Sequence, residues 1–127
     1  MEGRLLVAVL AIAVVALAGL AWRRPPRRLG RASLAGLGVR EPSIVQFTSP
    51  TCAPCKATAP QLRDAAERVG IPFHQVDVIE RPDVARALGV RRVPTIAVTG
   101  RRGQVVGVWT SPSGEIAEAA ERVASGR

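Results

Sequence analysis

Residues 47–62 read Phe47-Thr48-Ser49-Pro50-Thr51-Cys52-Ala53-Pro54-Cys55-Lys56-Ala57-Thr58-Ala59-Pro60-Gln61-Leu62, and this stretch decides the fold. Before it, Ser43-Ile44-Val45-Gln46-Phe47-Thr48 is a β-branched and aromatic run expected to form a strand. Ser49-Pro50-Thr51 breaks that run. After it, 53–69 carries Ala57, Leu62, Ala65, Ala66 and Val69 near helical spacing, with Pro60 as an internal kink and Gly70 as the stop. The two cysteines therefore fall where a strand hands over to a helix. Unsatisfied backbone N–H groups and the positive end of the helix dipole gather there. Both favour a thiolate, so Cys52 is expected to be the nucleophile, with its pKa lowered. Cys55, one turn along the same face, is placed to close a disulfide with it or to attack a mixed one.

Outward from this point the elements alternate. Phe73–Val78 is a second strand, Pro82–Leu88 a short helix ended by Gly89, and Pro94–Thr99 a third strand. Gln104–Trp109 is a fourth strand, joined to the third by the turn Gly100-Arg101-Arg102-Gly103. Ser111 is expected to cap a last helix with Pro112 at its first position, running to about Ala124. The order β-α-β-α-β-β-α is that of an α/β domain.

Other uses of the cysteines are weaker. Zinc needs four ligands, and the chain offers two cysteines and one histidine, His74. A dimer sharing both pairs would be required, so no metal is assigned. A purely structural staple across so small a ring restrains little chain entropy. His74, flanked by Phe73 and Gln75, is expected on the surface of its strand.

The segment 47–62 together with Val93-Pro94-Thr95 resembles the thioredoxin family. A C-x-x-C pair, Pro60 five residues on, and V-P-T with its proline 39 residues after Cys55 make a specific combination over about residues 43–124. The resemblance implies a thioredoxin-like fold, a central mixed sheet flanked by helices. It implies catalysis by Cys52 and Cys55 through their own redox-active disulfide, without a cofactor. It also implies a cis peptide before Pro94 and substrate binding by Val93 and Pro94, with Thr51, Pro54 and Arg92 as neighbouring contact positions. The departures are specific. Thr51 stands where a tryptophan is usual, and Ala53 where a glycine is. Gln46 and Gln75 replace a buried aspartate and its lysine neighbour. A neutral pair keeps a hydrogen bond and avoids burying charge. It also removes an internal proton acceptor at these two proton-management positions, so proton transfer is expected to pass through water or to be slower.

The remainder of the chain sets the context. Its 127 residues carry 47% hydrophobic and 22% charged side chains, which excludes a disordered chain. The net charge of +8 is local, since residues 1–40 hold seven arginines against one glutamate. With two phenylalanines, two tryptophans and no tyrosine, stacking platforms for nucleic acid are nearly absent, and no nucleic-acid partner is expected. Leu5–Trp22 is an unbroken apolar run about 27 Å long as a helix, enough for a single membrane span. Gly19-Leu20-Ala21 offers a signal-cleavage pattern, but Arg23, Arg24, Arg27, Arg28 and Arg31 follow the run at once. Such flanking arginines are retained on the cytoplasmic side, so the expectation is an uncleaved anchor with its soluble domain in the cytoplasm. The chain thus divides into an anchor at 1–22, a basic juxtamembrane linker at 23–42 stiffened by Pro25-Pro26, and a thioredoxin-like domain at 43–127. The resulting expectation is a membrane-anchored thiol-disulfide oxidoreductase. It would reduce protein disulfides and be recharged by a reductase or membrane electron donor. An extracytoplasmic oxidoreductase of the cytochrome-maturation type and a non-catalytic adaptor module are the competing readings.

Overall fold

The computed structural model describes residues 1–22 and 33–126. The arginine-rich stretch 23–32, and with it most of the expected linker, lies outside the described residues. Helix α1 (Glu2–Trp22) is apolar from Leu5 onward and long enough to cross a membrane, and none of its span is buried against the rest of the chain.

The remaining elements are β1 (Ser43–Thr48), α2 (Ala53–Val69), β2 (Phe73–Asp77), α3 (Pro82–Leu88), β3 (Thr95–Thr99), β4 (Val105–Trp109) and α4 (Gly114–Ala124). The strands form one mixed sheet in the order β2-β1-β3-β4. β2 runs parallel to β1, with Gln46 opposite Gln75, while β1–β3 and β3–β4 are antiparallel. A parallel neighbour requires a crossover, and α2 supplies it. Every strand boundary lies within a residue of the sequence expectation. The last helix differs, starting at Gly114 with Ser113 in the capping position instead of Ser111. Pro112 therefore precedes the helix.

Both faces of the sheet are covered. Ile44, Ile96 and Val98 pack with Leu62 and Ala66 of α2 and Ile116 and Ala120 of α4. On the other face Val45, Phe47 and Ala97 pack with Leu34 and Val39, and with Leu88 of α3. Leu34 is fully buried and Val39 nearly so, so the packed unit includes residues ahead of the Ser43 boundary. A 3₁₀ turn (Ala35–Leu37) carries this segment, and it is clipped to the β3–β4 loop. Ser33 bridges Gln104, and the Leu34 N–H donates to the Gly103 carbonyl at 2.8 Å. Gly103 has a positive φ of 75°, and a Cβ there would collide with the Val39 carbonyl, which is why glycine occupies the clip.

His74 is not a surface residue. It is half-buried opposite Val45, and its Nε2 is buried without a hydrogen-bond partner. The sheet face that His74 shares with Val45 is covered by Leu34, Val39 and α3, so alternation along β2 does not turn this side chain to solvent. α2 buries Cys55, Thr58, Ala59, Leu62 and Ala66, whereas Ala57 points outward.

Candidate active site

Cys52 is the N-cap of α2, in extended conformation, and its sulfur accepts a hydrogen bond from the Cys55 N–H at 3.2 Å. This is the role a serine or aspartate oxygen plays at other helix starts. The Cys52 N–H is itself held by the Ser49 carbonyl at 3.2 Å, so the turn Ser49–Cys52 fixes where the chain enters the helix. Pro54 lies in the first turn of α2, where its missing N–H leaves nothing unsatisfied. Cys52 and Cys55 are joined as a disulfide with Cα atoms 5.3 Å apart. Cys52 keeps 7% of its surface exposed and Cys55 1%. The first cysteine is thus the more accessible, though in the oxidised chain it is not openly exposed. Thr51 and Pro54 beside it are exposed.

Beneath the disulfide runs a chain of side-chain hydrogen bonds. Gln46 is fully buried. Its amide nitrogen donates to the Cys55 carbonyl at 3.1 Å and to the Thr58 hydroxyl oxygen at 2.9 Å. The Thr58 hydroxyl donates in turn to the Cys55 carbonyl at 3.3 Å. Gln75 donates its amide to the Gln46 side-chain oxygen at 2.9 Å. Parallel pairing of β1 with β2 in register places these two amides side by side. Gln75 is exposed, because β2 is an outer strand among the described residues, so only one member of the pair is buried. Every polar atom of Gln46 is satisfied, as a buried amide requires, and no member of the network is ionisable. Thr58 was missed from sequence. Its signal was its place one helical turn beyond Cys55, on the same face.

The peptide between Val93 and Pro94 is cis. Both residues are half-buried, whereas Arg91 and Arg92 are exposed. The Thr95 hydroxyl donates to the Arg92 carbonyl at 2.7 Å and ties the loop to the start of β3. Since Thr95 pairs with Phe47, this loop and the Ser49–Cys52 turn leave the sheet at the same end. The cysteines thus share one pole of the domain with Arg92, Val93 and Pro94. Among the described residues no group of histidine, cysteine and carboxylate side chains is arranged to hold a metal.

The thioredoxin family model matches residues 37–120. Protein disulfide-isomerase of Oryctolagus cuniculus is 34% identical over 99 residues, 70% of this chain and 19% of its own length. Thioredoxin of Mycoplasma pneumoniae is 38% identical over 56 residues, 43% of this chain and 55% of its own. The chain therefore spans about half or less of these two relatives. Among solved structures, thioredoxin 1 of Thermosipho africanus superposes with a TM-score of 0.56 at 26% identity, covering 63% of this chain and 91% of that one. By its motif, its sheet and a family match over most of its length, this chain belongs to the thioredoxin family.

Proposed function

We propose that this protein is a membrane-anchored thiol-disulfide oxidoreductase that reduces disulfides in protein substrates. The observation that carries the reading is the Cys52–Cys55 disulfide at the start of α2, where the Cys55 N–H faces the Cys52 sulfur. In the reduced form that N–H and the helix dipole stabilise a Cys52 thiolate. The thiolate attacks one sulfur of a substrate disulfide. A Cys52–substrate bond forms, the substrate S–S bond breaks, and the departing thiolate takes a proton. Cys55 then loses its proton and attacks Cys52, so that the Cys52–Cys55 bond forms and the second substrate thiolate leaves. The substrate gains two electrons and two protons, and a dithiol-bearing reductase or membrane electron donor returns them to the protein.

In this reading Val93 and Pro94 hold the substrate chain, Thr51, Pro54 and Arg92 border it, and Gln46 and Gln75 occupy the proton-management positions beneath Cys55. Neither amide accepts a proton at neutral pH, so the Cys55 proton passes to solvent. α1 serves as the anchor and 23–32 as the basic linker, and the catalytic domain, placed at 43–127 by its motif, takes in 33–42 through the packing of Leu34 and Val39. The five arginines after α1 favour a cytoplasmic domain, a compartment in which the reduced Cys52/Cys55 pair works as a reductant.

An insulin-reduction assay tests the chemistry. The wild-type protein should turn over with dithiol present. Cys55→Ser should accumulate mixed disulfides with substrate, and Cys52→Ser should do neither. Wild-type inactivity would leave an adaptor module as the better reading. C-terminal fusions to alkaline phosphatase and to a fluorescent protein test the side. Fluorescence without phosphatase activity is expected, and the reverse would move the domain outside.

A further inference from the structure

At the pole that carries the disulfide lies a second feature, a cavity of about 260 Å³ between α3 and the loop that leads into β3. Half-buried Val78, Val90 and Val93 line it, together with exposed Arg86, Arg91 and Arg92. Topology fixes its position relative to the cysteines. The Val78 N–H donates to the Thr48 carbonyl at 2.9 Å, at the end of β1 from which the chain turns toward Cys52. Val93 is the residue preceding the cis proline. The cavity therefore borders the same end of the sheet as the disulfide.

Its charge is one-sided, since no carboxylate lines it. Among the described residues the one ion pair is Arg81 with Asp83 at 3.7 Å, so none of the three lining guanidinium groups has a carboxylate partner. Asp77, the acid closest to Val78 in sequence, spends its Oδ1 on the Ile79 and Glu80 N–H groups. A guanidinium fork matches a carboxylate in shape and charge, and the valines match the methylenes that carry it. We propose that this cavity is an anion subsite which selects substrates bearing an aspartate or glutamate beside the disulfide to be reduced. The inference rests on the oxidoreductase reading for the disulfide it serves, but the binding it describes does not require turnover.

The test uses the full chain in nanodiscs and two disulfide-closed peptides that differ in having Glu or Gln beside the cysteine. At low salt the Glu peptide should be preferred in kcat/KM by about 3- to 10-fold, mainly through KM, and high salt should erase the difference. Arg91→Gln with Arg92→Gln, and separately Arg86→Gln, should bring the ratio toward one. A ratio that ignores both salt and substitution overturns the proposal. A dye-labelled linear peptide without cysteine, with Glu or Gln, gives the binding preference by anisotropy. If neither disulfide peptide is turned over yet the Glu peptide still binds better, the oxidoreductase reading fails and the subsite stands. If the substitutions leave the peptide ratio intact and instead abolish a dependence of turnover on anionic lipid, the cavity faces the bilayer and the proposal is wrong.

Discussion

Gln46 is where a single atom type changes the chemistry of the site. Its amide donates twice toward α2, and a carboxylate there could donate nothing to the Cys55 carbonyl it faces. Gln46→Asp therefore buries a charge against a carbonyl oxygen and leaves both Thr58 and Gln75 to adapt. Burial raises the new carboxyl's pKa in the folded state. A raised folded pKa means that stability is retained below the unfolded value and lost as pH climbs toward the folded one. Urea unfolding should show near wild-type stability in acid and a loss of about 3 kcal/mol at neutral pH. Adding Gln75→Lys should recover part of that loss. Zero coupling in the double-mutant cycle would mean that the two positions do not act as partners. The cysteines, Pro94 and the glutamine pair were legible in the sequence, because each is tied to a motif of fixed spacing. Thr58 was not, since a threonine inside a helix announces no partner until the sheet beneath it is known. The burial of His74 was hidden for a related reason, as alternation along a strand does not reveal whether both faces are covered.

Among the elements, strands and α2 followed from local pattern, but the start of α4 did not. Ser111-Pro112-Ser113 offers two serines as caps, and choosing between them depends on how Trp109 leaves β4. Its indole N–H donates to Glu115 at 2.9 Å, which fixes the first turn of α4 downstream of Pro112. The segment ahead of β1 was illegible too. Leu34 and Val39 are two apolar residues among glycines, and only contact with a loop some seventy residues distant shows that they belong to the core. Gly103 tests that clip. Gly103→Ala introduces a side chain at positive φ and against the Val39 carbonyl, at an expected cost of about 2–4 kcal/mol. Limited proteolysis should then open the chain between residues 33 and 42. Gly36→Ala, where a Cβ meets nothing within 4 Å, should leave both stability and protease resistance within error.

Across the whole molecule the sheet has two poles with different tasks. One holds the disulfide, the cis proline and the arginine-lined cavity. At the other, Ser33 meets Gln104 and the loop from Gly100 to Gly103. The chain coming from α1 thus enters the domain at the pole opposite Cys52. For a domain tethered through α1 this sets a direction. Carry a fluorophore at Arg102→Cys in a protein lacking both native cysteines, and compare it with one at Cys52 in the Cys55→Ser protein. Quencher lipids should dim the first more strongly than the second, and equal dimming would mean that the domain lies on its side. With α1 seated in a bilayer and that difference in dimming observed, the clip at Gly103 would act as a footing and the disulfide as the tip of a probe held away from the surface. Targets drifting in from the aqueous phase would then meet the reactive sulfur first, while proteins embedded beside the tether would meet its blunt end.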